Sequence, residues 1–490
     1  MISRNLVKVT KLNIKNQITA AAATSLQVQP TAVGNRNYFS VVDKDKKKKP
    51  KVLVLGSGWS SFAFLKKLNS KYYDITLISP RNHFLFTPLL ASTTVGTLEF
   101  RSIAEPIRKA KNDFEFLQAQ CTTVDPETKT IECTSTLHDT TPFKLQYDYL
   151  VIGVGARNAT FGIPGVSEHA HFLKELHQAR SIRQRIIYCF ESASLPDCKP
   201  EERKRLLSTI IVGAGPTGVE FAAELNDLVI EDIAKLFPNV PCNEINITIL
   251  EASNRILSAF DSKLVDTAVK RFRTTGIDVR TNTIVKEVLS DEVILTSGER
   301  IPFGLLVWST GIGSHPFTDR LPMEKDKHGR IIVDDFLRVK NIFQNNNNNK
   351  TIESTSTTST ITTTATTKQQ QQQENIYSFG DCASPQGNNN NLPATAQVAQ
   401  QEGYYLAQQF NNRAENKELQ PFVFNFLGIM AYIGRMSSLF QTNSVHASGF
   451  TAWVTWRSAY LTRLGSIRSK LQVPFDWART FIFGRDISNF

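Results

Sequence analysis

The sequence predicts an α/β protein with two parallel-sheet units, each opening on a strand, a glycine-rich turn and a helix, and with an amphipathic helical region at the C-terminus. Three observations predict it. The apolar run Lys51 to Leu55 leads into Gly56-Ser57-Gly58-Trp59-Ser60-Ser61 and a helix-compatible stretch. A second run, Ser208 to Val212, leads into Gly213-Ala214-Gly215-Pro216-Thr217-Gly218 and another such stretch. Residues 450–483 mix aromatic, basic and polar side chains at helical spacing. A chain of 490 residues is too long for one core, and about 100–200 residues per domain implies two or three.

Each position of the first turn has a physical task. Gly56 permits the tight turn, and Gly58 lets the backbone approach a pyrophosphate. Ser61 holds the third position, where a small side chain lets helix and strand pack closely. The helix N-terminus offers phosphates its N–H donors and positive dipole end. The next strand, Asp74 to Ile78, ends in Ser79-Pro80-Arg81-Asn82. A ribose-binding acid is expected there and is absent, so Ser79 is the candidate for a ribose hydroxyl.

In the second turn Gly213, Gly215 and Gly218 are all present, and the helix continues from Val219 to Leu225. The strand Ile247 to Leu250 ends at Glu251, a carboxylate able to accept both ribose hydroxyls of NADH and to repel a 2′-phosphate. The extra length before it, around Pro238 to Glu244, reads as a helix extension and loop. Two intact units fit a doubled architecture of Rossmann-like domains, one for FAD and one for a nicotinamide. Tyr149 to Ala156 and Leu305 to Gly311 resemble the strand-to-glycine crossings of two-dinucleotide-binding flavoproteins. Ile376 to Phe379, running into Gly380-Asp381, resembles the strand whose Asp meets the ribityl chain.

From Met1 to Ser40 there is no Asp or Glu, basic residues recur, and no apolar h-region appears, which is presequence composition. A basic linker follows (41–50). The remaining divisions are a first FAD-binding part (51–207), an NADH-binding domain (208–310), a second FAD-binding part (311–425) and a C-terminal region (426–490). The Asn, Thr/Ser and Gln tracts of 341–375 read as a disordered insertion in a surface loop. The six cysteines form no C-x-x-C pair or metal cluster, so neither a disulfide framework nor a metal site is expected. Residues 62–120 contain no Cys, which argues against a disulfide or sulfide oxidoreductase. A non-catalytic nucleotide-sensing scaffold would keep one unit and let the other decay, and both are intact. The net charge of +11 sits at the termini and in the linker, which disfavours nucleic acid.

No apolar run is long enough to span a bilayer. In 450–483, Trp453, Trp456, Tyr460, Leu464, Ile467 and Leu471 fall on one helical arc. Thr455, Ser458, Thr462, Ser466 and Ser469 fall opposite, and Arg457, Arg463, Arg468 and Lys470 lie at the borders. This is an interfacial pattern in which the basic side chains snorkel to phosphate headgroups, with Phe481-Ile482-Phe483 as a second anchor. Packing on the core or at a dimer interface is the other reading.

From Lys51 to Phe490 the chain resembles the mitochondrial alternative (type II) NADH:ubiquinone oxidoreductases. The blocks that carry the resemblance are Ser79 to Leu90, Gly213 to Leu225, Phe379 to Ala383, Thr395 to Glu402, Phe475-Asp476-Trp477 and Arg485-Asp486. The family's eukaryotic members also carry Ser-Pro-Arg where the acid would stand. The resemblance implies that Thr87 and Pro88 contact a non-covalent FAD. It also implies that Glu220 lies near flavin and nicotinamide, and that Gln397 and Gln401 line the quinone site. Family members often have His where Gln400 stands. The implied activity is non-proton-pumping transfer of electrons from NADH through FAD to ubiquinone, feeding the respiratory chain. The implied setting is the mitochondrial inner membrane, peripherally, with a weak lean to the matrix face, because no calcium-loop motif or second sorting segment is seen. A homodimer is compatible with it. Another FAD/NAD(P)-dependent pyridine nucleotide oxidoreductase and a membrane-bound scaffold remain the alternatives.

Overall fold

The computed structural model describes residues 49–137, 141–342, 375–387 and 392–488. The presequence reading, most of the basic linker and the tracts of the insertion fall outside the described residues.

The first sheet begins with β1 (Lys51–Leu55), which runs through its glycine turn into α1 (Trp59–Lys67). Next come β2 (Asp74–Ile78), β3 (Glu115–Leu117) and β4 (Tyr149–Ile152). The chain then enters the second sheet at β5 (His171–Phe172), ahead of the division at 207/208 read from the sequence. There follow α2 (Leu176–Ala193), β6 (Ser208–Val212), α3 (Pro216–Leu228), β7 (Asn246–Leu250), α4 (Ser262–Thr275), β8 (Ile277–Arg280) and β9 (Leu305–Trp308). β10 (Ile376–Ser378) returns to the first sheet, and α5 (Ala396–Ala414) packs on it. The C-terminal region is β11 (Ile429–Tyr432), β12 (Ser438–Gln441), β13 (His446–Gly449), α6 (Phe450–Arg463) and α7 (Ile467–Phe483).

Both five-stranded sheets are parallel, in the orders β10-β4-β1-β2-β3 and β5-β9-β6-β7-β8. Their central strands are apolar runs buried on both faces, as parallel strands covered by helices must be. In each sheet the strand that leads into the glycine turn, β1 or β6, sits centrally, so that turn opens between neighbouring strand ends, where such folds bind ligands. The extra length before Glu251 is a helix extension: α3 continues through a π-turn (Val229–Ile233) and a short helical turn (Ala234–Leu236). The two ends of the insertion belong to one domain, because Val339 N–H donates to Ile376 O at 2.9 Å and Ser378 N–H to Leu337 O at 3.1 Å.

Helix α5 lies directly against α1. A Cβ on Gly403 would fall 2.2 Å from Ser60 O, so only glycine allows this approach. Farther on, the single arc expected for 450–483 does not form. The helix breaks at Leu464-Gly465-Ser466, which turns α7 and puts the two halves of the pattern on different faces. Trp456, Leu464 and Ser469 are buried, while Ile467 and Leu471 are exposed. The break is held from below: Lys66 Nζ donates to Gly465 O at 2.7 Å and pairs with Glu105 at 3.6 Å. Arg457 does not reach outward as a snorkelling side chain would. Its guanidinium lies between the Trp453 and Trp477 rings at 4.1 and 4.3 Å, and burial lowers its pKa.

Helix α7 docks through Asp476, which is buried and accepts from Ser102 Oγ at 2.6 Å and Glu99 N–H at 3.1 Å. Asp476→Ala leaves a buried hydroxyl and a half-buried N–H without this acceptor. It should cost about 1–3 kcal/mol, read as a fall in stability by urea denaturation of the FAD-loaded protein.

Candidate functional site

The first cradle is built by close backbone approach on one side and open space on the other. Gly56 has φ +97°, and a Cβ there would lie 2.3 Å from Gly153 O. At Gly58, by contrast, a Cβ would meet no atom within 4 Å. That opening lies over the N-terminus of α1, which no side chain caps. Ser61 is fully buried, and its hydroxyl would lie 2.5 Å from a Cβ on Gly153. The third position therefore packs helix to strand, as its small size predicts. Ser79 is buried at the end of β2, and its hydroxyl donates to Ser57 Oγ at 2.9 Å and accepts from Arg81 N–H at 3.2 Å. These bonds tie Ser79 to the glycine turn itself. Thr87 Oγ1 accepts from Trp59 Nε1 at 3.0 Å, and Pro88 is in the same 3₁₀ turn.

Asp381 sits in the short turn Gly380–Cys382 after β10. Burial raises its carboxyl pKa and the facing charge of Lys174 lowers it. The turn is gripped from α5: Gly380 N–H donates to Glu402 Oε2 at 2.5 Å, and Glu402 is 1% exposed. Burial pushes the Glu402 carboxyl up to about 8. Glu402 lay inside the block Thr395 to Glu402 but carried no assigned role. No local signal in the sequence marks it for burial.

The second cradle repeats the first. Gly213 has φ +103° and its Cβ would lie 2.6 Å from Thr310 Cβ, while Gly215 faces open space. A Cβ on Gly218 would lie 2.1 Å from Gly213 O, so α3 approaches β6 as closely as a third glycine allows. Glu251 stands at the end of β7 and accepts from Ala214 N–H at 2.8 Å and Ser253 N–H at 2.9 Å. Its carboxylate is thus held beside the glycine turn. Gly311 (φ +78°) closes the β9 crossing, where a Cβ would strike the Phe161 ring at 2.5 Å.

Glu220 lies one turn into α3, 8% exposed, where it accepts from Tyr432 N–H at 3.2 Å. Burial pushes its carboxyl up to about 8, and the neighbouring Glu224 adds to the rise. Two more acids on the same helix escaped sequence reasoning. Glu224 accepts from Ser92 Oγ at 2.7 Å and Thr97 Oγ1 at 2.8 Å. Asp227 accepts from Tyr432 Oη at 2.6 Å, and burial pushes it up to about 6. Their spacing, with Glu220, at i, i+4 and i+7 puts three carboxyls on one helix face. That pattern was visible, but not their burial.

Gln397 and Gln401 share the face of α5 that meets the extended segment 422–428. Gln401 Nε2 donates to Asn425 O at 2.8 Å and its Oε1 accepts from Asn425 N–H at 2.9 Å. One turn earlier, Gln397 Nε2 donates to Gly428 O at 3.3 Å and its Oε1 accepts from Leu427 N–H at 3.2 Å. Each carboxamide therefore binds the backbone the way a strand neighbour would.

Residues 50–344 match the family model described as pyridine nucleotide-disulphide oxidoreductase, and residues 426–486 match that of the NDH2 C-terminal domain. The chain is 57% identical over 444 residues to a probable NADH dehydrogenase of Dictyostelium discoideum, covering 90% of this chain and 91% of that one. It is 37% identical to the mitochondrial internal alternative NAD(P)H-ubiquinone oxidoreductase A1 of Arabidopsis thaliana, covering 97% and 92%. Among solved structures it is similar to NDH2 from Plasmodium falciparum in complex with NADH, with TM-score 0.79 and 27% identity, covering 90% of this chain and 100% of that one.

The Glu220 carboxyl titrates near 8 when folded, against an ordinary value of 4.5. A raised pKa means the folded state holds a proton that the unfolded state has released, so this stability is full below about pH 4.5 and is lost as pH rises toward 8. Glu220→Gln removes that dependence. Stability measured by denaturation between pH 5 and 8 should fall less steeply in the variant, by at most about 1.4 kcal/mol per pH unit.

Proposed function

Because the chain belongs to the type II NADH dehydrogenases of the pyridine nucleotide-disulphide oxidoreductase family, we propose that it oxidises NADH and reduces ubiquinone at the mitochondrial inner membrane, without pumping protons. The observation that carries the reading is the pair of glycine cradles, each open at its second glycine over an uncapped helix N-terminus. FAD fits the first of them. Gly58 leaves space for a pyrophosphate, α1 supplies N–H donors to it, and Lys174 beside Asp381 offers a cation and a carboxylate along the groove. Bound FAD supplies a ring that takes two electrons from a nicotinamide and gives two to a quinone.

The chain's own residues bind, orient and shield. The α3 N-terminus and Gly215 receive the NADH pyrophosphate, and Glu251 selects the ribose with free hydroxyls. Gly213, Gly218 and Gly311 set the backbone that brings nicotinamide and flavin sites together. Ser61, Ser79, Thr87 and Pro88 shape the FAD cradle, with Ser79 holding the turn. Glu220, near neutral when buried, is placed to hold a proton beside the rings. Gln397 and Gln401 stand at the quinone entry, where they hold segment 422–428 in place.

Membrane contact is proposed through α6 and α7, on the apolar side chains that project outward: Ile467, Leu471, Phe475, Phe481, Ile482 and Phe483 are 68–85% exposed. No helix among the described residues is long and apolar enough to cross a membrane, so the contact is interfacial. The matrix face is the proposed side, on the weak lean the sequence gives, which shows no calcium-loop motif or second sorting segment. A second copy of the chain is the other occupant this surface could take.

The test of the reaction is a visible spectrum of the FAD-loaded protein. Anaerobic NADH should bleach the flavin bands and a short-chain ubiquinone should restore them. Bleaching without recovery would remove the quinone from the proposal, and bands indifferent to NADH would remove the enzyme. For the membrane, the triple change F481S/I482S/F483S should weaken cosedimentation with anionic phospholipid vesicles at least tenfold, while NADH still reduces a water-soluble acceptor. Unchanged vesicle binding with a shift from dimer to monomer would assign the surface to a second copy instead.

A further inference from the structure

Helix α5 touches three things at once, and one residue links two of them. On its outer face Gln397 and Gln401 hold segment 422–428. On its inner face Gly403 meets the start of α1, with its Cβ position 2.2 Å from Ser60 O. Between the two, Glu402 points down the inner face and accepts the Gly380 N–H at 2.5 Å. Gly380 itself is committed: it has φ +70°, and a Cβ there would lie 2.7 Å from Ser60 Oγ. Ser60, Gly380 and Glu402–Gly403 therefore form one contact in which the pyrophosphate helix, the Asp381 turn and the quinone helix meet. The Gly380 N–H opens the turn that presents Asp381, and its acceptor is a buried carboxyl side chain rather than the backbone.

We propose that Glu402 is a positioning residue for the flavin and the quinone site together, holding the Asp381 turn against FAD while fixing the depth at which α5 presents Gln397 and Gln401. The proposal rests on the reading that Asp381 faces the cofactor and the two glutamines face the quinone. A hydrogen bond reaching from α5 to the turn sets their spacing directly. If Glu402 is shortened or made apolar, Gly380 keeps a buried N–H without an acceptor. The turn must then shift to satisfy it, and Asp381 shifts with it.

The test uses the FAD-loaded full chain in four forms: wild type, Glu402→Gln, Glu402→Asp and Glu402→Leu. Glutamine keeps the length and an oxygen acceptor, aspartate keeps the acid but loses one methylene of reach, and leucine loses the acceptor. FAD release is followed by recovery of flavin fluorescence after dilution, and quinone KM is measured with FAD in excess. Asp and Leu forms should release FAD at least tenfold faster and raise quinone KM severalfold, with NADH KM toward a water-soluble acceptor unchanged. The Gln form should behave as wild type. Release within twofold of wild type in the Asp form, or a Gln form as impaired as the Leu form, would overturn the proposal. The Asp form keeps it testable should the Leu form not fold. Asp381→Ala runs alongside. If it too leaves FAD release unchanged, the reading of Asp381 fails; if it speeds release while the Glu402 forms do not, only the role of Glu402 fails.

Discussion

The row of carboxyls buried along α3 is the constraint on which the rest of the molecule depends. A helix that opens a nucleotide cradle would ordinarily bury apolar side chains against its sheet and show polar ones to water. Here Glu220, Glu224 and Asp227 are all buried, and buried acids demand partners or protons. The partners come from three directions. Ser92 and Thr97 of the first unit bind Glu224, and Tyr432 and the Arg435 N–H of the β11–β12 hairpin bind Asp227. One turn on, Arg485 at the end of the chain pairs with Asp232 at 2.8 Å. The acids thus make α3 a post to which the first unit and the C-terminal region are both fastened.

Helix α5 plays the matching part in the first unit, against α1. It approaches α1 without a side chain at Gly403, and it spends its polar side chains on backbone that would otherwise have no neighbour. Glu402 satisfies the Gly380 turn, while Gln397 and Gln401 satisfy Asn425, Leu427 and Gly428. Such bonds place turns and strands that carry too few residues to form ladders of their own. Their positions are then no looser than the helix that holds them.

Much of this was legible in the chain, and the parts that were not share a cause. Both cradles could be read locally, because a strand, a glycine turn and a helix are adjacent in sequence and each glycine has a local task. Glu251 could be placed at a strand end for the same reason. What sequence reading missed lies in long-range pairing. Glu220 meets Tyr432 across 212 residues, and Ser102 meets Asp476 across 374, and no local pattern announces either. Periodicity misled at 450–483, where one arc drawn through Gly465 joined residues that belong to two helices. Lys66 and Glu105 hold that break from more than three hundred residues away in the sequence. Arg457 carried the opposite error: its charge suggested a headgroup, and two tryptophans had already claimed it.

The ends of the insertion carry a consequence for how this chain can vary. Ile342 bridges to Met323, and Val339 N–H donates to Ile376 O at 2.9 Å, so the two ends that flank the insertion are held close together. The entropy of closing a loop between fixed, neighbouring ends grows only with the logarithm of its length. A flexible segment joined at these ends could therefore be lengthened or shortened with little effect on the folding equilibrium. The fold presents this site to mutation as a nearly neutral coordinate, and the same property makes it the place to graft a reporter domain.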